Sequence, residues 1–145
     1  MDRLEILMVE DNGGDVVLLD EAFVRVGIAH HISVTPDGEE ALEFLRRRGR
    51  HTRAPRPDVI VLDLKLPRKG GQEVLAEILP DPELNKIPIV VLSSSQSELE
   101  AVKGRLLPAD FCITKPATFD GYVRIAELIG ACGRHLAENA ADRTP

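Results

Sequence analysis

The sequence predicts an α/β fold, a doubly wound five-stranded parallel sheet with strands in the order 2-1-3-4-5. Three observations carry that expectation. Short aliphatic runs alternate with helix-spaced stretches five times along the 145 residues. The central run Val59–Leu62 is uninterrupted, as befits a strand covered on both faces, and Ile87–Leu92 reads as another buried strand. Polar residues then follow strand ends at Glu10, Asp63, Ser93 and Lys115. Successive βαβ units are right-handed, which places helices on both sides of the sheet.

The elements follow in order. Leu4 to Val9 is strand 1, and Val16, Leu19, Ala22, Phe23 and Val26 give helix 1 its apolar face over 16–26. His30 to Val34 alternates weakly as strand 2. Asp37 caps helix 2, with Glu40 placed to reach back in a capping box, and Ala41, Leu42, Phe44 and Leu45 form its buried side. After strand 3 (Val59–Leu62), Val74, Leu75, Ile78 and Leu79 mark helix 3, which Pro80 and Pro82 stop. Strand 4 (Ile87–Leu92) precedes helix 4, marked by Leu99, Val102, Leu106 and Leu107 and ended by Pro108. Phe111 to Thr114 is strand 5, and helix 5 runs from about Phe119 to Ala137, leaving a polar, frayed tail over 139–145.

Composition narrows the function. One domain spanning 1–145 is expected, with 43% hydrophobic residues to fill a core and no need of a metal or disulfide staple. The net charge of −6 disfavours non-specific binding to nucleic acid or anionic membranes. No apolar run approaches a membrane span, and the N-terminus lacks a signal peptide's apolar stretch. Cys112 and Cys132 have no disulfide or zinc-finger spacing, so a cytoplasmic, reducing setting is expected. The six arginines at 46, 47, 48, 50, 53 and 56 read as a solvated loop, with partner docking as the alternative. His30 and His31 are neighbours on a strand, point to opposite faces and cannot share a metal. Gly13-Gly14 lacks the spacing of a dinucleotide-binding fingerprint.

The chemistry gathers at one edge. Ligands of open parallel sheets bind outside the carboxyl ends of the strands, and strands 1 and 3 meet at the topological switch point. Glu10 and Asp11 would therefore face Asp63 across a crevice, with Ser93 and Lys115 beside them. Clustered carboxylates raise one another's pKa unless a cation intervenes. An all-oxygen set that keeps waters suits Mg²⁺, commonly bound beside a phosphate. Lys115 could neutralise that phosphate, and Ser93 could hydrogen-bond one of its oxygens. Asp63 is then a plausible nucleophile toward phosphorus, forming an acyl phosphate. Each residue also has a plainer role: Glu10 and Asp11 as helix-capping acids, Ser93 as a turn residue, Lys115 as an ordinary strand end.

From Leu4 to Leu136 the sequence resembles the receiver domains of two-component response regulators, which have the flavodoxin-like fold. The resemblance rests on Val9-Glu10-Asp11-Asn12, Asp58-Val59-Ile60-Val61-Leu62-Asp63-Leu64 with Leu66-Pro67, Val90-Val91-Leu92-Ser93-Ser94-Ser95, and Ile113-Thr114-Lys115-Pro116. It implies a Mg²⁺ site of Glu10, Asp11, Asp63 and the Lys65 backbone carbonyl. It further implies Asp63 as phosphoacceptor for a sensor histidine kinase, Ser93 as switch hydroxyl and Lys115 as phosphate counter-charge. Softer motifs, Asp15, Leu18-Leu19 and Glu21-Ala22-Phe23 with the stretch Asp81 to Pro88, are similar to single-domain regulators that partner phytochrome-type kinases.

Three positions depart from the family pattern. Gly70-Gly71 stands where Asp-Gly is usual, and Cys112 occupies the place of the switch aromatic, with Phe111 beside it. Lys65 and Ser95 lie two residues beyond the acceptor and the hydroxyl, positions that tune acyl-phosphate hydrolysis in the family.

Two other functions compete. A metal-dependent phosphohydrolase of this kind usually has an acid two residues after its nucleophile, where this chain has Lys65. A receiver-fold interaction module that is not phosphorylated has no reason to keep Glu10, Asp11, Asp63, Ser93 and Lys115 together. The expected protein is a signalling phosphoacceptor rather than an enzyme acting on other substrates. Helix 5 carries Tyr122, Val123, Ile125, Ala126, Leu128, Ile129, Cys132 and Leu136, more than one narrow stripe. Packing on the sheet accounts for most of them, and a homodimer through helix 4, strand 5 and helix 5 is the alternative. Only about ten residues follow helix 5, so the signal is expected to leave through the receiver's own surface or to pass on as phosphate.

Overall fold

Five parallel strands form one sheet in the order β2-β1-β3-β4-β5, as expected, in a computed structural model that describes residues 3–107 and 111–142. The strands are β1 (Leu4–Val9), β2 (His30–Thr35), β3 (Val59–Asp63), β4 (Ile89–Ser93) and β5 (Cys112–Thr114). The helices are α1 (Gly13–Arg25), α2 (Gly38–Arg46), α3 (Gly71–Ile78), α4 (Gln96–Val102) and α5 (Phe119–Asp142).

Alternation along the central strands divides the core in two. Leu7, Val9, Ile60, Leu62, Ile89 and Val91 point to the face covered by Leu42 and Leu45 of α2, Leu75 and Ile78 of α3 and Leu99 and Val102 of α4. Ile6, Met8, Val59, Val61, Val90 and Leu92 point the other way, against Leu19 and Phe23 of α1 and Tyr122, Ile125 and Ile129 of α5. The two-residue period of a strand sends neighbours to opposite faces, so an unbroken aliphatic run serves both cores at once. Each fully buried Leu, Ile or Phe contributes roughly 1.5–3 kcal/mol.

Local chemistry sets the element ends. Asn12 caps α1, its side chain accepting from the N–H groups of Gly14 and Asp15 at 2.9 and 3.2 Å, so the helix begins at Gly13 instead of Val16. Asp37 caps α2 through a 2.8 Å bond from the Glu40 N–H. The expected return bond of a capping box is replaced, because the Glu40 carboxylate pairs with Arg50 and with His51, the latter at 3.1 Å. Gly71, at the start of α3, lies where any added Cβ would come within 2.6 Å of the Asp63 carbonyl oxygen. That close approach seats α3 against the end of β3.

Helix 4 is shorter than its apolar spacing implies. It ends at Val102, Lys103 is extended, and Gly104 takes a positive φ of 75° whose N–H bonds the Leu107 carbonyl at 2.8 Å. A tight turn therefore carries Leu106 and Leu107, and the proposed stop at Pro108 lies outside the described residues. Strand 4 begins at Ile89 because Leu84–Lys86 forms a 3-10 turn ahead of it, and Phe111 lies just before β5. Helix 5 continues to Asp142, past the expected end at Ala137, and residues 143–145 of the expected tail lie outside the described residues.

The arginine-rich segment after α2 folds back on the domain. Arg46 pairs with Glu77 at 3.2 Å, Arg47 donates to the Ala54 carbonyl at 3.0 Å and Arg56 to the Leu45 carbonyl at 2.8 Å. His30 and His31 are engaged separately, with Asp20 at 2.6 Å and Glu5 at 3.0 Å. Among the described residues no helix is long and apolar enough to cross a membrane.

Candidate functional site

The carboxyl ends of β1, β3, β4 and β5 deliver the predicted residues to one edge of the sheet. Val9 pairs with Leu62, so the residues just past them, Glu10 and Asp63, are brought alongside each other. Asp63 pairs with Leu92 and Ser93 with Thr114, which puts Ser93 and Lys115 next in line. Glu10, Asp63 and Ser93 are buried, and Asp11 is exposed. Glu10, Asp11 and Asp63 each present a carboxylate oxygen, all within 4.8 Å of one another.

Lys115 is the counterweight. Its Nζ lies 2.9 Å from Glu10 Oε1, 3.0 Å from Asp63 Oδ2 and 2.7 Å from Asp15 Oδ2. Its backbone N–H donates to the Ser93 carbonyl at 3.0 Å, which ties the lysine to the end of β4. Burial lowers the proton affinity of this ammonium, but its hydrogen bonds to Asp15, Glu10 and Asp63 outweigh burial and hold the pKa above the usual lysine range. Burial pushes the Glu10 carboxyl up to about 7; the Lys115 hydrogen bond pulls it down, and neighbouring Asp63 adds to the rise.

The remaining predicted residues take definite places. The Lys65 N–H donates to Asp63 Oδ1 at 3.0 Å, folding the loop after β3 over the carboxylate. Ser93 Oγ accepts from the Ser95 N–H at 3.0 Å, and the Ser95 hydroxyl in turn caps α4. Phe111 and Cys112 pack on opposite faces of the sheet, Phe111 toward α1 and α5 and Cys112 toward α4. Phe111 therefore does not stand in for an aromatic at position 112.

Asp15 belongs to this site, and reading strand ends alone misses it. It sits in the first turn of α1, where acids are ordinary, and only the packing of α1 on α5 discloses its partners. Besides Lys115 it accepts the Tyr122 hydroxyl at 3.2 Å. Burial raises the Tyr122 phenol to about 12, with the Asp15 charge contributing.

The donor set matches a small oxygen-seeking divalent cation: three carboxylates converge, two of them buried, with one ammonium to offset them. The response regulator receiver domain family matches residues 6–127. The chain belongs to that family.

Several known receivers are similar to it. Response regulator Rcp1 of Synechocystis sp. is 41% identical over 110 residues, covering 76% of this chain and 75% of that protein. The crystal structure of the phosphorylated cyanobacterial phytochrome response regulator RcpA superposes with a TM-score of 0.77 at 42% identity, covering 88% of this receiver and 91% of RcpA. The Mn²⁺-bound form of Rcp1 gives a TM-score of 0.75 at 36% identity, covering 87% and 91%. The receiver is thus homologous to phytochrome response regulators, and the sheet order expected from sequence agrees with that kinship.

Proposed function

We propose that this receiver accepts a phosphoryl group on Asp63 from a sensor histidine kinase of the phytochrome type and signals by changed protein association in the cytoplasm. The observation that carries the reading is the Asp63 carboxylate itself. It is buried at the end of β3, grouped with Glu10 and Asp11 and touched by the Lys115 ammonium. Kinship with RcpA and Rcp1 supports the choice of kinase, and the net charge of −6 argues for protein partners over nucleic acid or anionic membrane.

Glu10, Asp11, Asp63 and the Lys65 backbone carbonyl are the residues that would hold Mg²⁺. When bound, the ion supplies charge neutralisation for the oxygens of the transferring phosphoryl group. An Asp63 carboxylate oxygen attacks phosphorus as the phosphorus–nitrogen bond to the kinase histidine breaks, and the imidazole keeps that electron pair. Lys115 turns an N–H to a phosphoryl oxygen. The Ser93 hydroxyl supplies a second hydrogen bond, and its reorientation disturbs the Ser95 N–H contact and so the start of α4.

The face formed by α4, β5 and α5 is the proposed homodimer surface. Tyr122, Ile125, Ala126 and Ile129 are spent on the core, whereas Val123 and Leu128 are only half-buried. Beside them Ile113, Pro116 and Leu128 line a cleft of about 320 Å³. The side chain of Leu136 lies outside the described residues. Light scattering at tens of micromolar tests this surface: a dimer that Leu128→Glu dissociates is expected, and a monomer throughout contradicts it.

The kinase assignment is tested by phosphotransfer from autophosphorylated histidine kinases. Rapid transfer from a phytochrome-type kinase, abolished by chelator and by Asp63→Asn, is the expected outcome. Equal transfer from unrelated kinases, or transfer that survives Asp63→Asn, contradicts it.

A further inference from the structure

We propose that Asp15, anchored by Tyr122, is a positioning residue that holds the Lys115 ammonium against the acceptor carboxylate. The inference deepens the reading of Lys115 as phosphate counter-charge and rests on it.

The geometry is specific. An ammonium has three N–H groups, and Lys115 directs them at Glu10, Asp63 and Asp15 at 2.9, 3.0 and 2.7 Å, the shortest contact being to Asp15. Asp15 comes from α1, a hundred residues away in sequence, and its other oxygen takes the hydroxyl of Tyr122 from α5. Both carboxylate oxygens are therefore engaged, and rotation of the group breaks one bond or the other. Tyr122 is itself 2% exposed, seated in the core between the sheet, α1 and α5, so it is a fixed point.

Helix-dipole stabilisation explains an acid in the first turn of α1, but it does not explain two long-range partners. The three carboxylates that hold Lys115 also differ in what phosphorylation asks of them. Asp63 becomes the acyl phosphate, and Glu10 belongs to the cation-binding set. Asp15 is neither the acceptor nor a member of the cation-binding set, so it can keep the ammonium in place while the other two contacts are exchanged. A lysine tethered only to groups that change partners would spend part of its time turned toward solvent. Charge-assisted bonds of this kind are roughly twice as strong as neutral ones, enough to bias a flexible side chain.

A double-mutant cycle on the full chain tests the inference, using initial rates of labelling by acetyl phosphate at saturating Mg²⁺. Asp15→Asn is expected to slow labelling about tenfold, Tyr122→Phe to slow it less, and Asp15→Asn in a Lys115→Ala background to add nothing. A wild-type rate for Asp15→Asn overturns the inference, as does full additivity with Lys115→Ala, which denotes a structural effect independent of the lysine. A wild-type rate for Lys115→Ala removes the counter-charge reading beneath it, so the two failures are distinguishable. Tyr122 is the single tyrosine of a chain with no tryptophan, and its emission reads the anchor directly. A carboxylate accepting the phenol hydroxyl quenches it, so folded Asp15→Asn protein should be brighter; unchanged emission with an intact circular dichroism spectrum contradicts the anchoring bond.

Discussion

Lys115 donates to Asp63 across the gap between β5 and β3, Nζ to Oδ2 at 3.0 Å, so the proposed phosphate counter-charge already touches the proposed acceptor. The same nitrogen lies 2.9 Å from Glu10, so it touches two of the three carboxylates that would hold a metal. A fixed positive charge there competes with a divalent cation for the same oxygens.

Removing that charge should therefore tighten metal binding. Lys115→Met, measured by calorimetry at pH 8, is expected to bind Mg²⁺ at least tenfold more tightly than the wild type, a floor set well below the roughly 4 kcal/mol that each pair of unit charges repels at 4 Å and an effective dielectric near twenty. Unchanged or weaker affinity would place the lysine outside the cation field.

Acidity gives a second outcome. Burial holds the Glu10 carboxyl at about 7 in the folded chain, above its ordinary value of 4.5. Between those values the native state binds more protons than the unfolded state, so metal-free stability falls as pH rises through that window. Thermal melts from pH 4.5 to 7.5 in chelator should show the decline, with a shallower slope in Glu10→Gln. Mg²⁺ at pH 7 should restore the wild type, because it favours the ionised carboxylate. Identical slopes for wild type and Glu10→Gln would contradict the assignment.

Gly71 supplies a packing test. An alanine methyl there would crowd the Asp63 carbonyl oxygen at 2.6 Å and the Leu64 Cα at 2.6 Å, both backbone atoms that cannot swing aside. Gly71→Ala should cost about 1–3 kcal/mol in urea unfolding and slow Asp63 labelling as well, since the crowding bears on the acceptor's own backbone. Wild-type values for both would mean that α3 moves away freely.

The parts legible in sequence were those written in runs of adjacent residues. Val59–Leu62 and Ile89–Leu92 are aliphatic without interruption because both of their faces are covered, and that pattern survives without knowledge of the partners. Glu10, Asp63, Ser93 and Lys115 were legible because a parallel sheet exposes functional groups at one set of strand ends. What depends on distant contacts was not. Helix spacing in Leu106 and Leu107 continues past the point where Gly104 turns the chain, and Glu40 abandons its capping box for Arg50 and His51 beyond the helix. Asp15 looks like any acid near a helix start until α5 brings Tyr122 to it.

Everything proposed for this receiver depends on Asp63 being a Mg²⁺-dependent phosphoacceptor. Intact-mass spectrometry of the full chain after incubation with acetyl phosphate tests it most directly, with Mg²⁺ or chelator and with Asp63→Asn alongside. One added phosphoryl group per chain is expected, seen only with Mg²⁺ and only when Asp63 is present. Labelling that persists in chelator or in Asp63→Asn, or a wild-type chain that stays unmodified with Mg²⁺, would contradict it.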